Sequence, residues 1–256
     1  AKFADDYAEM KARKNNGEMV MSIGKKKKFK RASVEYKASG AKAIFYRQLL
    51  EYKKEKWFIF SYMTLFCIGA DILFLKVIDV SEFGSKSAVL LGIVAYLAIL
   101  TGGYLGKWDK ELKNPYLFLL PDSPAKKMWY ATVMEHVKAA IDGAILVLPL
   151  GIAWKVHPFH MVSCWLIYVF LQAIKLYTKV LIDSFLRNSL GETVKQLVRL
   201  GVQGGIIGIG VLLAVVAVVL QNFNFAFFVI LIYGMIMAVV IGLLTVSRFA
   251  IMEQYD

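Results

Sequence analysis

Long apolar segments alternate with short polar ones along most of this chain, after about 40 largely polar residues at its start. Six apolar segments are each long enough to cross about 30 Å of hydrocarbon at about 1.5 Å per residue. They cover residues 57–78, 87–106, 131–154, 159–186, 200–220 and 224–247. The pattern predicts an all-α, polytopic membrane protein with six transmembrane helices.

The segment before the first span predicts a different kind of helix. Within residues 41–56, apolar side chains recur near helical spacing and basic ones lie between them, which is typical of an amphipathic helix in the membrane interface. The apolar positions are Ile44, Phe45, Leu49 and Tyr52. We therefore expect three parts: a polar basic cytoplasmic linker (1–40), an interfacial helix (41–56) and a six-span domain (57–256).

The charge is strongly positive and unevenly placed. The chain has 31 Lys and Arg against 19 Asp and Glu, and 16 of the basic residues precede position 57. Because 58% of the residues are hydrophobic and the mean hydropathy is +0.56, the excess fits the positive-inside rule better than nucleic-acid binding. The basic run Lys25–Arg31 (KKKKFKR) predicts a solvated linker that is attracted to anionic lipid headgroups.

The basic residues also predict the orientation of the spans. Alternate polar segments carry 25 Lys and Arg on one side of the predicted membrane and 2 on the other, namely Lys86 and Lys155. This asymmetry places both termini in the cytoplasm and the short loops outside. We expect a multi-pass protein of the inner (plasma) membrane.

The polar loop between the second and third predicted spans contains an apolar patch, Pro115–Leu120. Pro121 and Pro124 bracket a turn, and Asp122 or Ser123 is placed to cap the helix that follows. The residues allow two interpretations: a loop that rests on lipid, or a short helix that docks into a groove of a cytoplasmic partner.

The same loop reads LLP-x-S-x-x-K-K, with Leu119, Leu120, Pro121, Ser123, Lys126 and Lys127 at the named positions. This motif and the topology around it resemble the membrane subunits of type-2 ABC exporters, in particular the bacterial putative ABC exporters, over residues 41–255. The resemblance implies a permease whose coupling helix, here Glu111–Lys127, contacts a cytoplasmic ABC ATPase. The coupling residues it implies are Glu111, Tyr116, Leu117, Phe118, Leu119, Leu120, Pro121, Ser123 and Lys126.

The resemblance also implies what this chain lacks and what completes it. ATP and Mg would be bound by the partner subunit, and this chain would hold no cofactor and be no enzyme itself. It is similar to the C-terminal six-span half of a longer permease, which would pack against the other half. A half-size subunit that pairs with a second copy is the alternative.

Charged residues inside apolar segments are functional candidates, because burying them in a membrane is costly. The candidates are Asp71, Asp142, Lys175, Lys179 and Asp183. One interpretation is a salt-bridged stem emerging from the membrane. The other is a polar substrate vestibule, or a relay for nucleotide-driven motion.

The fifth span contains two overlapping GxxxG spacings, formed by Gly201, Gly204, Gly205 and Gly208. Small residues at this spacing let helix backbones approach closely. We expect them to pack against another helix, either within the chain or in a second half.

Two rival functions are compatible with the sequence. A membrane-anchored scaffold would use the basic N-terminal region to hold a partner, and a haem- or metal-dependent oxidoreductase would need ligands such as His157, His160 and Cys164. We interpret this pair of histidines as interfacial, because no carboxylate nearby would orient an imidazole as a metal ligand. A transport permease is the leading hypothesis, and its substrate is not indicated.

Overall fold

The computed structural model describes residues 39–54, 57–80, 85–100, 117, 119–186, 191–220 and 223–255. These residues form helices and connecting turns, without a strand among them. The seven helices are α1 (Lys42–Lys54), α2 (Tyr62–Val77), α3 (Lys86–Leu100), α4 (Pro124–Ala153), α5 (Pro158–Phe185), α6 (Glu192–Leu220) and α7 (Phe223–Tyr255). The predicted all-α class is confirmed.

Several of these helices begin at local sequence signals, namely capping residues and prolines. At α2, Ser61 and Thr64 form a capping box, in which the Ser61 N–H donates to the Thr64 hydroxyl at 3.2 Å. At α4, Ser123 is extended and Pro124 occupies the first turn, where its missing N–H costs nothing. Pro158 does the same at α5. Pro124 thus marks the helix start that the sequence predicts, but the Ser123 side chain makes no capping hydrogen bond there.

Four of the described helices, α4 to α7, are long and apolar enough to cross a membrane. They correspond to the last four of the six predicted spans, so the multi-pass class is confirmed. By contrast, α2 and α3 have 16 and 15 residues, or about 24 and 22 Å at about 1.5 Å per residue. Both are shorter than the hydrocarbon layer, and the residues flanking them at 55–56, 81–84 and 101–116 lie outside the described parts.

Helix α5 is the centre of the bundle and packs against α3, α4, α6 and α7, most extensively against α7. One core lies between α3, α4 and α5 and includes Leu90, Val94, Leu146 and Cys164. A second core joins α5 to α6 and α7. Large apolar side chains cover the outside of α6 and α7 instead of polar ones, which is the surface that a lipid environment requires.

The helix ends meet in two groups. We call the end that carries α1 the α1 end; there, Ala41, Leu117, Ala131 and Phe249 form one buried cluster. At the opposite end, the His160 ring stacks on Phe227 with 4.5 Å between centroids and is hydrogen-bonded to Ser87 at 2.8 Å. The start of α4 and the ends of α5 and α7 therefore lie at the α1 end. This agrees with successive helices from α4 to α7 running in opposite directions.

Candidate coupling surface and interior polar groups

The loop before α4 is anchored at one residue and exposed at another. Leu117 is only 3% exposed, because it packs with Ala41 and Ile44 of the α1 region and with Phe249 of α7. Leu119, two positions later, is 77% exposed. The predicted apolar patch is therefore divided: part of it belongs to the protein interior, and part faces outward.

The exposed part continues along the loop into the first turn of α4. Leu119, Pro121, Ser123 and Lys126 are all exposed, and we call these four residues the coupling surface. Leu120 is partly buried against the Leu117 cluster. Of the two lysines in the motif, Lys126 has a 66% exposed side chain, whereas Lys127 is fully buried. Three of the predicted coupling residues, Glu111, Tyr116 and Phe118, lie outside the described residues.

An aspartate in this loop is hydrogen-bonded to the start of α1, and we call this contact the clasp. The Asp122 carboxylate accepts a hydrogen bond from the Ala41 backbone N–H at 2.7 Å. That hydrogen bond, together with the positive charges of Lys126 and Lys127, lowers the pKa of Asp122. Gly40 has a φ of +62°, and a side chain there would collide with the carboxylate. The loop and the first turn of α1 are thus fitted to each other.

Helix α1 lies against α4 through a stripe of residues spaced four apart: Ile44, Gln48 and Tyr52. The Gln48 side-chain amide donates to the Ala131 carbonyl at 2.8 Å, and the Tyr52 hydroxyl donates to Glu135 at 3.0 Å. The amphipathic helix is confirmed as a helix. Its buried stripe, however, contacts protein. The location of this helix in the membrane interface stays a prediction.

Two of the predicted intramembrane acids, one on α2 and one on α4, are buried. Asp71 and Asp142 are each 4% exposed. Asp142 accepts a hydrogen bond from the Thr64 hydroxyl at 2.6 Å. Asp71 differs, because its Oδ1 atom is buried and has no hydrogen-bond partner among the described residues. This unsatisfied acceptor is unusual for a buried polar group.

The three charged residues of α5 connect this helix to different neighbours. Lys175 donates from Nζ to the Ile99 carbonyl at 3.2 Å, where it neutralises the negative end of α3. Asp183 forms an ion pair with Arg199 of α6. Lys179, one turn from each, is half-buried. These contacts give two of the three residues a role in fixing α3 and α6 against α5.

The four glycines at GxxxG spacing in the fifth predicted span face away from the described bundle. Gly201, Gly204, Gly205 and Gly208 are exposed or open, with nothing within 4 Å of a Cβ built on any of them. The opposite face of α6 makes the contacts, because Gly210 meets the Tyr233 ring and the Ile206 carbonyl accepts from the Tyr233 hydroxyl at 2.7 Å. Any close packing of the GxxxG face therefore involves atoms beyond the described part of this chain.

Several residues at these sites are not among the sequence-based candidates. Gln48 could have been found, because it lies four residues from both Ile44 and Tyr52 on the buried stripe. Thr64 and Arg199 could not, since nothing local in the sequence pairs them with Asp142 and Asp183. Such long-range pairs are set by how helices pack.

The fold is that of a multi-pass, all-α membrane protein in which the loop before α4 packs against a short amphipathic helix. The chain belongs to the putative ABC exporter family, whose model matches residues 1–253. The match includes the basic segment 1–40, which the resemblance drawn from the loop motif leaves out. No curated protein and no solved structure matches the chain.

Proposed function

We propose that this chain is the permease subunit of an ATP-driven ABC exporter and that a separate ATPase docks on its coupling surface. The ATPase would bind ATP and Mg and hydrolyse ATP, and the permease would carry the substrate. The observation that supports this most is the exposure of Leu119 beside the buried Leu117. Leu119 thereby offers a partner an apolar side chain flanked by polar residues, the usual arrangement at a protein interface.

The contacts of the loop suggest how movement would pass into the bundle. Leu117 shares one buried cluster with residues of α1, α4 and α7, and Asp122 accepts a hydrogen bond from the start of α1. A push on the coupling surface would therefore move α1 and the start of α4 together. Because packed helices shift as rigid bodies, a small displacement at the loop would tilt α4 against α5 and α7.

We also propose that α2 and α3, extended by their flanking residues, complete six spans, and that α1 lies at the cytoplasmic interface. The 25-to-2 distribution of Lys and Arg supports this orientation, with both termini in the cytoplasm of a cell with an inner membrane. The basic run Lys25–Arg31, outside the described residues, would contact anionic lipid.

A second six-span unit would cover the GxxxG face of α6. This face is apolar and lies opposite the face that packs on α7. Exposed glycines at GxxxG spacing let the backbone of another helix approach closely. The covering unit would be the other half of a longer permease or a second copy of this chain.

Photocrosslinking from position 119 tests the docking proposal in the native membrane. A photoreactive amino acid at Leu119 should crosslink to a protein that binds and hydrolyses ATP, identified by mass spectrometry. The same group at Lys155, in the exposed turn at the opposite end, serves as the control and should not. Crosslinks from position 119 to lipid alone would contradict the proposal.

A further inference from the structure

Two polar stripes, one on α2 and one on α4, meet where the Thr64 hydroxyl donates to Asp142. On α2 the stripe is Thr64, Cys67 and Asp71, and on α4 it is Glu135, Lys138 and Asp142; both follow the spacing i, i+3, i+7 that lies on one helix face. The two helices run in the same direction, because Ile59, just before α2, lies in one buried cluster with Met134, whereas Thr64 is hydrogen-bonded to Asp142 further along both helices.

Polar groups of these helices and of α1 follow one another from the α1 end inward, and two hydrogen bonds join some of them. The Tyr52 hydroxyl donates to Glu135 at 3.0 Å. One turn further, the charge of Lys138 acts on Asp142, which in turn accepts from the Thr64 hydroxyl at 2.6 Å. The thiol of Cys67 then lies within electrostatic range of both Asp142 and Asp71 and interacts with Tyr168 of α5. We call these groups, from Tyr52 to Cys67, the polar track.

Asp71 stands at the inner end of this track. It is 4% exposed, near the middle of α2, and its Oδ1 has no hydrogen-bond partner among the described residues. An ionised carboxylate buried this way is costly unless a donor or a cation satisfies it. Cys67 and Thr64, one and two turns away on the same helix, are each at most 2% exposed, so this face of α2 is shielded from bulk water. A proton satisfies the carboxylate and needs no added space.

We propose that Asp71 is a proton-binding site that exchanges with water at the α1 end through the polar track. A proton from water is passed along the track and bonds to a carboxylate oxygen of Asp71, which becomes a neutral carboxylic acid. The reverse transfer restores the carboxylate, and no group is oxidised or reduced. Cys67 is a titratable group within electrostatic range of Asp71, and it interacts in turn with Asp142 and Lys138 on α4 and with Tyr168 on α5. The proposal does not depend on an ATPase partner.

Infrared spectroscopy of the purified chain in lipid nanodiscs tests this. A protonated buried carboxyl gives a C=O band that shifts after transfer into D₂O. We expect wild type to show the band and the Asp71→Asn variant to lose it. The Asp142→Asn variant should keep the band at Asp71, although the proton exchange should be slower. If Asp71→Asn does not fold, Asp71→Glu should keep a band at a displaced position.

The role of the track is tested by the rate of the D₂O-induced shift. Thr64→Val removes one hydroxyl from the track with little change in shape, and we expect exchange about tenfold slower, the effect of losing one hydrogen-bonded step. Leu73→Ala, on the exposed face of α2, is the control and should leave the rate unchanged. A band that survives in Asp71→Asn, the absence of a protonated band in wild type, or an unchanged rate in Thr64→Val would overturn the proposal.

Discussion

The carboxylate of Asp122 accepts a hydrogen bond from the backbone N–H of Ala41 at 2.7 Å, across 81 positions of sequence. It satisfies a donor at the start of α1 that would otherwise be unpaired. Its negative charge also faces the positive end of the helix dipole. One side chain thereby joins the loop that carries the coupling surface to the helix that precedes the bundle.

Removing this clasp should loosen the start of α1. In Asp122→Ala we expect faster hydrogen exchange of the backbone amides at 41–44, measured by mass spectrometry, while amides in the middle of α4 stay protected. The exchange rate in Asp122→Asn should lie between those of Asp122→Ala and wild type, because the amide oxygen of asparagine still accepts the hydrogen bond. Glu51→Ala, an exposed acid on α1 itself, is the matched control. Equal exchange in Asp122→Ala and wild type would show that the clasp does not hold α1.

The clasp should also have a defined pH range. Because the pKa of Asp122 is lowered from its ordinary value of 3.8, its contribution to stability is present above that value and is lost as pH falls through the folded-state pKa. We expect exchange at 41–44, corrected for the intrinsic pH effect, to be constant between about pH 5 and 8. A loss of protection within that range would assign the pH dependence to another group.

The sequence predicts the elements better than the contacts between them. The last four spans, the amphipathic helix and the start of α4 at Pro124 follow from hydropathy and local capping signals. The separation of Leu117 from Leu119 does not, because both are leucines in one apolar run and only the packing of α1 and α7 decides which is buried. The contacts of Lys175 with α3 and of Asp183 with α6 are likewise products of helix packing.

Cysteine labelling tests the orientation of the bundle. The two native cysteines, Cys67 and Cys164, are fully buried, so they should give a low background. An impermeant thiol reagent added outside intact cells should reach Ser85→Cys but should reach Lys126→Cys only after permeabilisation. The reverse result would invert the orientation inferred from the Lys and Arg distribution.

The glycine face of α6 should matter for association between the proposed six-span units. Gly205→Leu should weaken it, because a leucine on this face prevents the close approach that GxxxG spacing allows. We expect a larger monomer fraction by single-molecule photobleaching or crosslinking in nanodiscs. Leu213→Ala, which is partly buried on another face of α6, is the control. Equal association in the two variants would remove this face from the interface.

The most direct test is pull-down of the ATPase subunit with wild type, Leu119→Asp and Leu119→Met. An unpaired charge buried at a contact costs several kcal/mol, and a micromolar complex is worth about 8 kcal/mol in total, so Leu119→Asp should abolish recovery of the ATPase. Leu119→Met keeps an apolar side chain and should retain it, and unchanged gel-filtration behaviour of all three would show that the bundle is intact. Undiminished recovery with Leu119→Asp, or no ATPase with wild type, would contradict the proposal that this chain is an ATPase-coupled permease.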